Sequence, residues 1–152
     1  MSDSPILASA EDMLATAQLQ LASIRFDRLS IDLVDAAAQA STDGDEDSEG
    51  TPVEINCTLG TRQEGRLFGA RFEFRITAPQ WIAVISVITD YAGSQEFVLS
   101  PDAPADFASR VGLMAAFPYV REALSDLTTR VTGTAVLLPL IRQGDIVFPP
   151  NQ

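Results

Sequence analysis

The chain has no lysine, no histidine and a single cysteine. Without histidine there can be no Ser–His–Asp triad, no Cys–His pair and no imidazole-bearing metal site. One cysteine, Cys57, excludes an internal disulfide and fits a reducing, cytoplasmic setting. Without lysine, every one of the 10 cationic side chains is an arginine, scattered along the sequence against 21 acids, for a net charge of −11. Nucleic acid needs a basic footprint that this pattern lacks, and anionic membrane is disfavoured for the same reason. No apolar run is long enough for membrane insertion, and MSDSPILASAED has no basic segment of the kind that opens a secretory signal. There is no G-x-S-x-G, no Walker loop and no dinucleotide fingerprint, and no spacing singles out a carboxylate pair. The expectation is a protein that is not an enzyme and takes no cofactor and no metal.

The 152 residues suffice for one domain with a real core. Residues 1–18 read as a flexible or short helical N-terminus, with Ser4 as cap and Pro5 at the first helical position of a helix over Pro5–Ala17. Leu19 to Leu33 reads as a long strand whose apolar parity changes near Ser23 and near Asp27-Arg28. A strand keeps one face only at even spacing, so each slip predicts a bulge. Residues 35–51, DAAAQASTDGDEDSEGT, are small, polar and acidic, which predicts a mobile loop. Asp43, Asp45, Asp47 and Glu54 imitate calcium-loop spacing, but Ser48 stands where that loop needs glycine, and a solvated acidic loop is the better reading. Val53, Ile55, Cys57 and Leu59 alternate, with a turn at 62–65. Phe68, Ala70, Phe72, Phe74 and Ile76 alternate next, with a turn at 78–80. Trp81 to Ile88 is apolar on both parities, as in a strand covered on both faces. Short connections imply an antiparallel meander. Cys57 reads as a small core residue.

Phe117, Val120, Leu124, Leu127 and Val131 form a narrow line at helical spacing, the width of a helix–helix seam. Asp126 precedes Arg130 by four residues, the favourable order for an ion pair, and Gly133 is placed to end the helix. Pro118 suits a first turn or a kink. The following run, Thr134 to Ile141, is too apolar for an ordinary loop, and Pro139 argues against a helix through it. Strands before helices give an α+β domain over 19–148, with 149–152 as a tail.

Phe117-Pro118-Tyr119-Val120-Arg121-Glu122, followed by Thr129-Arg130, Gly133 and an apolar Pro-containing segment, resembles the signature region of the SecB family of chaperones. Ile24 to Asp32 is similar to that family's first strand. The resemblance implies a SecB-like α+β fold, a four-stranded antiparallel sheet with helices packed on one face. It implies a holdase that binds unfolded or disordered client polypeptide without ATP, dedicated to a specific client such as an antitoxin. The alternatives are a general SecB protein-export chaperone delivering preproteins to the SecA motor, or a SecB-fold binding module without chaperone activity. Assembly as a homotetramer, a dimer of dimers, would use the seam Phe117, Val120, Leu124, Leu127 and Val131. Clients would meet Trp81, Leu137, Leu138, Leu140, Ile141 and Phe148. SecB docks SecA through acidic residues on the exposed sheet face. Asp32 keeps one such position, Arg28 reverses another, and Ser86 or Val87 replaces a third, so poor SecA docking is expected.

Overall fold

The computed structural model describes residues 4–34, 53–139, 142, 145, 146 and 148. The main sheet holds β2 (Gln20–Leu33), β3 (Glu54–Glu64), β4 (Leu67–Thr77) and β5 (Trp81–Ala92). Its order is β2-β5-β4-β3, antiparallel throughout. The strands β3, β4 and β5 form the expected meander. β2 pairs with β5, so β2 and β3 stand at opposite edges. The expected loop at 35–51, and with it the Asp43–Asp47 cluster, lies outside the described residues.

The two parity slips in β2 are two register shifts, one between Leu21 and Ser23 and one between Phe26 and Arg28. Each extra residue returns the apolar set to one face. Leu21, Ile24, Phe26, Leu29, Ile31 and Leu33 therefore sit opposite Tyr91, Thr89, Val87, Ile85, Ala83 and Trp81 in turn. The same face of β4 presents Phe68, Ala70, Phe72, Phe74 and Ile76, all buried. Trp81, Ala83, Ile85, Val87 and Tyr91 of β5 complete that layer.

The helices cover this one face. Ala103–Phe107 (α2), one π-helical turn at Ala108–Gly112 and Leu113–Thr132 (α3) run on without a break. Glycine is required within the π turn, because a Cβ at Gly112 would lie 2.9 Å from Phe72 Cζ. Pro118 neither starts nor stops α3 but sits inside it. Its missing N–H leaves the Met114 carbonyl without an in-helix donor. Both residues are exposed, so water can serve that carbonyl. Gly133 ends the helix with φ 83°, its N–H donating to the Thr129 carbonyl at 3.0 Å. The Asp126–Arg130 pair forms at 3.1 Å on the exposed side.

The N-terminus departs from expectation. Pro5 does not begin a helix. Ile6–Leu7 (β1) pairs in parallel with Val98–Leu99 (β6), and Leu7 is buried. The helix α1 is only Ala10–Ala15, capped by Ser9 and not Ser4, with Ser9 Oγ accepting from Asp12 N–H at 3.2 Å. Long-range pairing outweighs the Ser4-Pro5 start signal here. Asp106 of α2 accepts from Ala10 N–H at 2.7 Å and fixes α1 in place. The turn expected at 62–65 also moves, since β3 runs on to Glu64 and the chain reverses at Gly65, φ 60°.

Candidate functional site

The helix α3 lies over β5 and the inner face of β2, and its apolar line points down into the sheet. Phe117, Val120 and Leu124 are buried within the single chain, with the Phe117 ring 5.9 Å from that of Phe74. Those seam residues therefore have no surface to offer a second copy. Leu127 is half-buried against the core and Val131 is exposed. The stripe is narrow because the residues beside it face the open side of the helix.

The segment after Gly133 returns along α3 without regular secondary structure. Thr128, buried in the last turns of the helix, donates to the Leu124 carbonyl at 2.8 Å and accepts from Val136 N–H at 2.9 Å. Arg121 Nε donates to the Leu138 carbonyl at 2.8 Å, and Ser109 Oγ accepts from Phe148 N–H at 2.9 Å. These bonds hold a strap across the helical layer. Leu138 and Phe148 point inward, buried, with the Phe148 ring 5.8 Å from that of Phe72. Trp81, the first residue of β5, is buried. Of the residues expected to touch a client, Trp81, Leu138 and Phe148 thus belong to the core. Leu140 and Ile141 lie outside the described residues. Leu137, 67% exposed, faces solvent.

Leu137 also opens onto a groove of about 860 Å³ between β2 and α3. Phe26 and Leu29 form its strand wall. Pro118, Tyr119, Ala123 and Asp126 are among those on its helix wall. β2 overhangs the helical layer here, so Leu21, Leu29 and Leu33 remain exposed although they lie on the apolar face. The outer edge of β2 has no partner strand among the described residues. Such an edge presents unpaired N–H and C=O groups to any extended chain. Apolar side-chain sockets beside an open strand edge can take up a polypeptide through backbone pairing and alternate side chains. Sequence reading missed Phe26, Leu29 and Tyr119 as groove residues. The available signal was Tyr119, an aromatic outside the helix's apolar line.

No metal-holding group of three or more His, Cys, Asp or Glu occurs among the described residues. Cys57 is half-buried, and burial pushes its thiol up to about 12, well away from a reactive thiolate. Asp32 lies exposed on the outer sheet face opposite Ile82, and Arg28 lies on that same face opposite Ser86.

A SecB-like chaperone from Mycobacterium tuberculosis, solved in complex with a ChAD peptide from the HigA1 antitoxin, superposes with a TM-score of 0.68 at 19% identity. The match covers 88% of this chain and 96% of that one. The fold is SecB-like. A protein of unknown function from Streptococcus agalactiae is more distant, at TM-score 0.45 and 14% identity over 80% of this chain and 97% of that one. No family model and no curated protein matches the sequence. With the SecB-like fold, the four-stranded antiparallel sheet carries its helices on one face, as the signature around Phe117–Glu122 implied.

Proposed function

We propose that this protein is an ATP-independent, non-enzymatic holdase that binds extended segments of an unfolded or disordered client, dedicated to one client of the antitoxin kind. The observation that carries the proposal is the groove of about 860 Å³ that joins half-buried Phe26 and exposed Leu29 and Leu137 to the open edge of β2. The SecB-like neighbour solved with an antitoxin peptide supports it. Burial of a few client apolar side chains, at roughly 1.5–3 kcal/mol each, supplies affinity with no bond made or broken. Binding the unfolded state then opposes aggregation by mass action.

The test is fluorescence anisotropy with a dye-labelled, carboxymethylated unfolded protein, beside the C-terminal peptide of any antitoxin encoded next to this gene. Leu29→Asp with Leu137→Asp should weaken binding by roughly tenfold or more, since each places a charge against a desolvated apolar contact. Both residues are exposed, so far-UV circular dichroism should stay unchanged. Unaltered binding in this variant would falsify the groove assignment. Tight capture of the antitoxin peptide with little capture of the unfolded test protein supports the dedicated role. Assembly into a dimer of dimers belongs to the same proposal. Sedimentation at micromolar concentration should show a species heavier than one 16.3 kDa chain.

A further inference from the structure

The sheet face turned away from the helices has its own organisation. Arg25 and Arg28 of β2 and Arg71 and Arg75 of β4 flank Val84, Ser86 and Ile88 of β5. Arg25 and Arg71 both stand opposite Ile88, Arg28 opposite Ser86 and Arg75 opposite Val84. Arginine stems can lie along apolar surface while their heads stay wet. That accounts for Val84 and Ser86 being buried on a face that no helix among the described residues covers.

The cover stops at Gly60 of β3 and Gly69 of β4, where a pocket of about 270 Å³ opens. Its floor is Ile88 and the bare backbone of the two glycines. Arg25, Arg62 and Arg71 stand around it, with Asp90 at one end. A Cβ at Gly69 would come within 3.0 Å of Asp90 Oδ1, whereas at Gly60 nothing lies closer than Arg71 Cβ at 4.0 Å. Asp90 is met by Arg25 at 3.6 Å and by Ser23 Oγ at 3.1 Å. Arg71 is shared between Asp27 at 2.9 Å and Glu73 at 3.7 Å. Arg62 has no ion pair among the described residues. The lining itself holds three arginines to one acid, and once Asp27 and Glu73 beside it are counted Arg62 is the guanidinium left over, on a molecule whose net charge is −11.

We propose that this pocket seats a glutamate or aspartate side chain from an acidic, apolar-interspersed segment of a partner protein. The carboxylate would lie on Arg62, and the residue beside it against Ile88. A guanidinium fork matches a carboxylate in a way that few other groups do. The volume falls below the roughly 300–1,000 Å³ of ordinary small-ligand sites, so it suits a side chain and not a whole metabolite. Asp32, Glu54, Glu64 and Glu73 share the same sheet face, joined there by the bulge residue Asp27 through its ion pair with Arg71, and together they repel a polyanion such as nucleic acid but leave a single carboxylate acceptable. Elsewhere the acidic chain offers an acidic segment little attraction, so this pocket fixes where such a segment docks. The site lies on the opposite sheet face from the α3 groove, and both can be filled at once.

The probe is the blocked pentapeptide Leu-Glu-Leu-Glu-Leu, titrated into the ¹⁵N-labelled full chain. The expected result is amide shifts centred on Gly60, Gly69 and Ile88. Arg62→Ala should weaken binding about fivefold or more, in line with loss of one charge-assisted contact. Gly60→Leu, built into open space, should abolish the shifts while the remaining spectrum stays native. The Leu-Gln-Leu-Gln-Leu peptide should bind as weakly as the Arg62→Ala variant permits. Equal binding of the two peptides, no effect of Arg62→Ala, or shifts confined to Leu29 and Leu137 would each overturn the proposal. Inorganic phosphate moving the same amides with equal affinity would reduce the site to a general anion contact and overturn it as well.

Discussion

Tyr91 of β5 is buried between the sheet and the helices, its ring packed edge-on to Phe107 at 4.9 Å and tilted against Phe68 at 6.2 Å. Its hydroxyl has no hydrogen-bond partner among the described residues. Burial pushes the phenol above its ordinary range, and the neighbouring Thr89 hydroxyl acts in the other direction. A buried hydroxyl left unpaired costs about 1–3 kcal/mol, while the ring contacts do not depend on it. Tyr91→Phe should therefore be neutral or stabilise by up to about 1 kcal/mol in urea unfolding; a loss above that range would reveal a hidden partner. Cys57 titrates in the opposite sense from a reactive thiol. Its folded pKa stands above its unfolded value, so the neutral thiol adds stability below about pH 9 that is lost as pH rises towards about 12. Alkylation by iodoacetamide at pH 8 should run at least about tenfold slower in the folded chain than in urea. Leu124, fully buried, separates core from interface. Leu124→Ala should cost about 2–5 kcal/mol, and Leu124→Glu should give an unfolded chain and not a folded monomer.

At the scale of elements, the strap behind α3 shows most clearly what local pattern could and could not announce. Val136, Leu137 and Leu138 read as one apolar run, and the run has no regular secondary structure. Which side chain turns inward depends on Thr128, Arg121 and Ser109, residues up to 39 positions away in sequence. Leu138 and Phe148 were expected at the surface because no periodicity follows Gly133 to mark a buried face. Thr128→Val keeps the shape but removes the acceptor for Val136 N–H. It should cost about 1–2 kcal/mol and speed hydrogen exchange at Val136 well ahead of β4. Exchange that rises uniformly would mean the strap and sheet open together. By contrast, the bulges of β2 were legible, because a parity slip of one residue leaves no other way to keep Ile24, Phe26 and Ile31 on one face. The meander, the end at Gly133 and the Asp126–Arg130 pair were legible for the same local reason. The pairing of β1 with β6 was not, since Ile6-Leu7 is too short to carry a pattern and its partner lies beyond the whole main sheet. The groove was legible only at its rim. Its depth comes from β2 overhanging the helical layer, a tertiary fact that leaves Leu29 exposed on an apolar face.

At the scale of the whole molecule, the distribution of charge argues against service as a general export chaperone. In SecB the outer sheet face docks the SecA motor through acidic residues, and complementary potential sets both the rate and the partner. Here that face interleaves Arg25, Arg28, Arg62, Arg71 and Arg75, half of the 10 cations, with Asp27, Asp32, Glu54, Glu64, Glu73 and Asp90, so its acids do not form an unbroken acidic surface. Asp32 retains an acidic position near one end, but Arg28 stands on the same face of the same strand, and Ser86 is sealed beneath the arginine side chains. A surface built to meet an acid-seeking partner would lose attraction at each of these places. Calorimetric titration of SecA should show no binding in the micromolar range at 0.15 M salt, where the Debye length of about 8 Å still leaves close contacts unscreened. The double reversal Arg28→Asp with Arg75→Glu, at exposed positions, should create weak SecA affinity that vanishes above about 0.5 M salt. Micromolar binding by the unaltered chain that disappears in Asp32→Arg would instead restore export as its task, with the arginines acting only as covers for β5.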